Sequence, residues 1–181
     1  MTYHSLAEIY GAKSATLQRL HQHIQGLTSA QASFHPSNGG WSIAEIVEHL
    51  SIVESQLLQL ITALIKKTEE AGKTDSMILT FEVSLQSIFE RIQTEKYSTR
   101  DKFLPSGKMT VSDSLQMLRD IQTQLHSLQP RLQSVDLTFA TFPHWIFGPL
   151  NLGQWFAFIG LHEETHLAQI ESILTSPGFP H

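Results

Sequence analysis

The sequence predicts an all-α fold: a four-helix bundle with one additional shorter helix, organised as a single domain over residues 1–181. Three observations carry that reading. Apolar residues recur at spacings of three, four and seven along four long stretches, the period of a helix with one buried stripe. Three of those stretches are preceded by Ser, Thr or Asn with an acid or Gln three positions later, the pattern of a reciprocal helix cap. No convincing hairpin, strand–helix alternation, repeat or low-complexity tract interrupts them.

The first helix is expected over residues 4–27, carrying Leu6, Ile9, Tyr10, Leu17, Leu20, Ile24 and Leu27. A loop with Pro36 and the Gly39-Gly40 pair follows. Ser42 and Glu45 form the cap of the second helix, whose stripe runs Ile43, Ile46, Leu50, Val53, Leu57, Leu60 and Leu64. Lys66, Lys67 and Gly72 close it, the cations complementing the helix dipole. The shorter helix is expected over 77–95, on Ile78, Phe81, Leu85, Ile88, Phe89 and Ile92, although Thr, Val and Phe there also suit a strand. Residues 97–109 read as a loop. Thr110 and Asp113 open the next helix, through Leu115, Leu118, Ile121, Leu125, Leu128 and Leu132, with Pro130 ending or bending it. The segment around Pro143, Gly148 and Pro149 reads as an irregular approach. Asn151 and Gln154 then cap a last helix running to about Leu174.

Composition removes several functions. The chain has no cysteine, which excludes a disulfide framework, a thiolate metal site and a cysteine nucleophile. A net charge of -5 and few clustered cations argue against a nucleic-acid surface. No apolar run is long enough for a membrane span and the N-terminus lacks a signal-peptide pattern, so no membrane role and a cytoplasmic location are expected.

Ten histidines is a high number, and two of them fall on one helical stripe. In the last helix Trp155, Ile159, His162, His166, Gln169 and Ile173 follow spacings of four, three, four, three and four. His162 and His166 therefore project from one face a turn apart, close enough for both rings to reach one ion. Two such rings are either a metal pair or two core histidines that each need hydrogen-bond partners. Glu163 and Glu164 fall further round, Glu163 at a flank and Glu164 towards solvent. The run His162-Glu-Glu-Thr-His166 matches the H-E-x-x-H motif of metalloproteases, but Gln169 and Ser172 stand where one such class has Gly and its third His. A protease is disfavoured for that reason and for want of a substrate-aligning strand. His49, bordering the stripe of the second helix, is the better third ligand, since bundle cores hold metals with side chains from facing helices. The other histidines read as surface residues, His144 alone being near enough in sequence to the last helix to be a remote candidate for the site.

The run from Trp41 through His49, the lead-in Phe142-Pro-His-Trp-Ile-Phe-Gly-Pro-Leu-Asn151, and His162-x-x-x-His166-x-x-Gln169-Ile together resemble the DinB-like (YfiT-like) superfamily. The resemblance spans the domain to Ile173. It implies a four-helix bundle with a three-histidine site for a divalent cation, zinc first and nickel or another transition metal second, on His49, His162 and His166. It also implies an enzyme of the low-molecular-weight-thiol S-transferase type, or a hydrolase, acting on a small-molecule substrate, with a homodimer as a possible assembly.

On that reading three neutral imidazoles leave a coordination position open for water, thiol or substrate. The alternative is a non-catalytic metal-binding or dimerising bundle. No catalytic residue is assigned beyond Glu163 as a weak candidate. Glu45, one turn before His49, is a possible orienting partner for that ring, and Gln169 a possible hydrogen-bond partner in the site. Trp41, Phe147, Trp155 and Phe158 are candidate walls of an apolar pocket.

Overall fold

The computed structural model describes residues 2–37, 39–74, 83–94, 99 and 101–180. In chain order these form strand β1 (Thr2–Tyr3), helices α1 (Leu6–Ile24), α2 (Ser29–Ala32) and α3 (Ile43–Glu70), strand β2 (Val83–Ser84), helices α4 (Gln86–Thr94), α5 (Val111–Ser127) and α6 (Gln129–Leu132), strands β3 (Thr141–His144) and β4 (Gly148–Asn151), and helix α7 (Leu152–Leu174). The four long helices are α1, α3, α5 and α7. Helix α7 packs on both α1 and α3, and α3 also packs on α5.

The caps lie where the sequence puts them. Ser42 accepts from the Glu45 amide while Glu45 accepts from the Ser42 amide, and Asn151 and Gln154 do the same at α7. Thr110 accepts from the Asp113 amide at the start of α5. Each such cap stabilises its helix by about 1 kcal/mol. Pro130 occupies the first turn of the short α6, so the sequence-expected helix through Leu132 is two pieces.

Two apolar clusters make up the core. One is built around Ile9, Tyr10, Ile61, Phe156 and Ile159, the other around Leu17, Leu20, Ile43, Leu50, Leu167 and Ile170. Each fully buried aliphatic or aromatic side chain contributes roughly 1.5–3 kcal/mol. Between the clusters lies a polar layer: Lys13 of α1 donates to Glu54 of α3 at 2.9 Å and to Glu163 of α7, all three buried.

Several expectations are corrected. A hairpin does exist, β3 paired antiparallel with β4, with Pro143 opposite Pro149. Prolines in both strands hid it; a two-stranded ribbon has only edges, where a missing amide donor costs least. Gly148 at φ +77° supplies the left-handed residue its three-residue loop requires. Val83 and Ser84 pair with β1 rather than joining the shorter helix, which begins at Gln86. Residues 77–82 and 95 of that expected helix, with Ile78 and Phe81, lie outside the described residues. The short α2, capped by Thr28 and Gln31, was not expected. The loop before Thr110 contains a 3-10 turn at Asp101–Phe103. Finally, α7 is buried almost all round from Leu152 to Leu161, because it fills the space between two helices rather than resting on one.

Candidate metal centre

Helix α3 brings His49 to the face of α7 that carries His162 and His166. The Nε2 atom of His162 lies 3.3 Å from that of His49 and 3.2 Å from that of His166. One nitrogen from each of the three rings falls within 4.8 Å of the others. For comparison, two nitrogens bound tetrahedrally to a zinc ion at 2.0–2.1 Å stand about 3.3 Å apart. The rings are packed edge to face or tilted, with centroids 4.6 to 5.2 Å apart.

The outer nitrogens explain why the inner ones converge. His49 donates its Nδ1 proton to the main-chain oxygen of Phe103 at 2.7 Å, and His166 donates its own to Gln169 Oε1 at 2.9 Å. In the neutral rings this leaves Nε2 of both as bare lone pairs. His162 carries one proton for its two nitrogens, and its buried Nδ1 has no partner among the described residues. Three Nε2 atoms thus share at most one proton. A cation among them satisfies all three lone pairs at once, so the donor set fits a divalent metal.

Burial keeps the rings neutral. His162 is pushed well below the ordinary histidine range by burial first and by His166 and His49 second. His166 is pushed down to about 3, again by burial first and His49 second. Burial also lowers His49, against the opposing hydrogen bond to Phe103. A neutral imidazole is the form that binds metal.

The loop just after Phe103 is held by an acid next to the first histidine. Glu48, 2 % exposed, accepts from the Ser106 amide at 3.1 Å, the Ser106 hydroxyl at 2.6 Å and the Gly107 amide at 2.8 Å. Burial pushes its carboxyl up, but these hydrogen bonds outweigh that and the net shift is down. One turn of α3 therefore supplies both a candidate ligand and the anchor for the loop that orients it.

Glu163 is placed otherwise than expected. It is 1 % exposed and lies against Lys13 and Glu54 in the polar layer rather than at a solvated flank. Its carboxyl is held well above the usual range by burial first and the Glu54 charge second, with Lys13 pulling the other way. Burial works against the Lys13 cation, but its two acidic partners raise it overall. Glu164, expected in solvent, is half-buried and accepts from Arg19 at 2.9 Å and Thr16 at 3.0 Å. Glu45 is occupied by its helix cap, and Phe103 takes the orienting role weighed for it.

The three rings sit in the wall of a cleft of roughly 880 Å³. Trp41, Phe147 and Phe158 line it, whereas Trp155 does not; its indole donates to the Phe142 oxygen at 3.0 Å. His144, read as a surface residue from the sequence, lines the cleft as well. Its Nδ1 accepts from the Ile146 and Phe147 amides at 3.2 and 3.3 Å, and its ring stacks on Phe147 at 4.6 Å. The hairpin thus contributes one rim of the cleft.

A helical bundle with three imidazole nitrogens converging at an open cleft defines a class of metal-binding bundles with room for a small ligand. The chain belongs to the DinB superfamily, whose family model matches residues 14–170. It is also similar to the uncharacterized protein YuaE of Bacillus subtilis (strain 168), 26% identical over 155 residues that cover 83% of this chain and 87% of that one. Among the described residues no helix is long and apolar enough to cross a membrane.

Proposed function

We propose that this protein is a divalent-metal-dependent enzyme acting on small molecules, of the thiol S-transferase type or a hydrolase, with His49, His162 and His166 as the metal ligands. One observation supports it above the others: the three Nε2 atoms meet at the wall of a cleft large enough for a small organic molecule. A divalent ion held there, zinc first and nickel or another transition metal second, would lower the pKa of a thiol or water and so supply a nucleophile at neutral pH. The chain's own residues do the rest. Phe103 and Gln169 fix the two tautomers, and Glu48 fixes the loop that carries Phe103. Trp41 and Phe158 pack against the histidine rings and line the cleft beside them. The open side of the triad favours a catalytic over a structural role, because structural sites close their fourth position with protein ligands. With no cysteine in the chain, a reactive sulfur would arrive on a low-molecular-weight thiol.

Elemental analysis of protein purified without a histidine tag tests the first premise. About one equivalent of metal is expected, and less than about a tenth would overturn the reading. Thiol transfer to a chromogenic electrophile, compared between metal-loaded and chelated protein, tests the second.

A further inference from the structure

Both glutamates that stand between His162 and His166 are gripped by one helix. Helix α1 supplies none of the three histidines, yet Lys13 donates to Glu163, Thr16 to Glu164 at 3.0 Å and Arg19 to Glu164 at 2.9 Å. Lys13 also donates to Glu54 of α3 at 2.9 Å, five residues beyond His49. Lys13, Glu54 and Glu163 are buried, whereas Arg19 and Glu164 are partly in solvent, where an ion pair contributes little. The Lys13 ammonium therefore ties together the two helices that carry the histidines. Its contact on α7 is one residue from His162, and its contact on α3 is about 7.5 Å along the axis from His49.

A buried ion cluster is a poor source of stability, since apolar side chains of similar volume do as well or better. What it supplies is direction. Apolar packing sets how closely two helices lie but has no preferred angle, and helix crossings scatter accordingly. A hydrogen bond does prefer an angle. Side-chain tips stand about 5–6 Å from a helix axis, so a turn of α7 by about 10° would carry the His162 ring about 1 Å. Metal–ligand distances hold to within about 0.2 Å. We propose that α1 is a rotational clamp on α7: Lys13, by joining Glu163 to Glu54, sets the angle at which His162 and His166 face His49, and is a positioning residue for the metal centre. The benefit to a metal rests on the proposed function; the clamp itself rests on the helices alone. Charge works against the site rather than for it. After burial and the other histidines, the Lys13 charge also helps hold His162 below the ordinary histidine range, and an ammonium at that range repels a divalent ion.

The test reads zinc affinity by chelator competition and ligand geometry by the visible spectrum of bound cobalt(II), both on the full-length protein. The variants are Lys13→Met and the triple change Lys13→Met, Glu54→Leu, Glu163→Leu. Zinc affinity is expected to fall about ten- to a hundredfold in each, in Lys13→Met even though a repelling charge has gone, and the cobalt bands should shift. Glu163→Gln, which keeps an acceptor for Lys13, should stay close to wild type in both readouts. Leu125→Ala opens a cavity on α5, which carries neither a histidine of the triad nor a member of the layer. It should weaken the fold and leave affinity and spectrum alone. In metal-free crystals of the triple variant, the Nε2 separation of His162 and His49 should depart from 3.3 Å by about 1 Å. Wild-type affinity and spectrum in the triple variant, or tighter zinc binding by Lys13→Met, overturns the proposal. An unmoved His162 ring overturns it whether or not metal binds. Failure of the wild-type protein to take up zinc or cobalt would instead sink the metal-dependent function, and the crystal comparison would then decide the clamp.

Discussion

The Nε2 atom of His162 lies 3.3 Å from that of His49, although the two residues are 113 positions apart in the chain. Two electron pairs at that distance repel unless a proton or a cation lies between them. Added zinc should therefore stabilise the fold. At a free concentration a hundred times its dissociation constant the gain is about 2.7 kcal/mol, or a rise in Tm of about 5–10 °C for a chain this size. Differential scanning calorimetry with and without zinc measures it. His162→Ala should abolish the rise, and a rise that persisted in this variant would place the zinc elsewhere.

Glu48 gives a second prediction, through the loop it holds. Glu48→Gln replaces a carboxylate facing three donors with an amide that can accept at only one oxygen. The loop should loosen, Phe103 should lose its hold on His49, and zinc affinity should fall about ten- to a hundredfold. Chelator-competition titration reads the change. Unaltered affinity would show that His49 needs no such support.

The buried Lys13–Glu54–Glu163 layer predicts a strong asymmetry. Lys13→Met leaves two acids in the core without their cation and should cost about 3–5 kcal/mol in urea denaturation. The triple variant Lys13→Met, Glu54→Leu, Glu163→Leu should recover most of that loss, because it removes the charges together. If the single change were neutral, the layer would be solvated in solution.

Tyr10 predicts an alkaline limit. Its hydroxyl donates to the Leu125 oxygen at 2.8 Å, and burial pushes its pKa up to about 12 from 10.0. Below pH 10 both the folded and unfolded states keep the proton, so the pH dependence there is flat with respect to this group. Between pH 10 and about 12 the unfolded chain ionises first, and stability should fall with rising pH by on the order of 2 kcal/mol. Tyr10→Phe should flatten that limb in denaturant titrations, at a cost of about 1 kcal/mol at neutral pH.

These sites differ in how far the sequence discloses them. The spacing of His162 and His166 is a local property of one helix, and their shared face follows from helical period alone. The caps at Ser42 and Asn151 are equally local. His49 was placed by its position beside a stripe, supported by the family pattern. Glu48 escaped, and Glu163 was named without its burial, because a charged residue next to an apolar stripe reads as solvated. Their burial depends on partners the period cannot supply: Ser106 and Gly107 in a distant loop for one, Lys13 and Glu54 for the other. Phe103 escaped for a further reason, since it acts through a main-chain oxygen that any residue could provide. His144 lies in a hairpin that its prolines disguised, so only its nearness to the last helix in sequence hinted at its approach to the cleft.

Helix α7 has a consequence for how the molecule is made. Its first half is wrapped by neighbours, and it carries two of the three histidines as well as Glu163. A nascent chain that has released α1, α3 and α5 but not α7 holds an apolar trough with Lys13 and Glu54 unshielded along it. If the three histidines hold a metal, its capture, the neutralisation of Lys13 and Glu54 and the closure of the core would coincide, because each needs α7 in place.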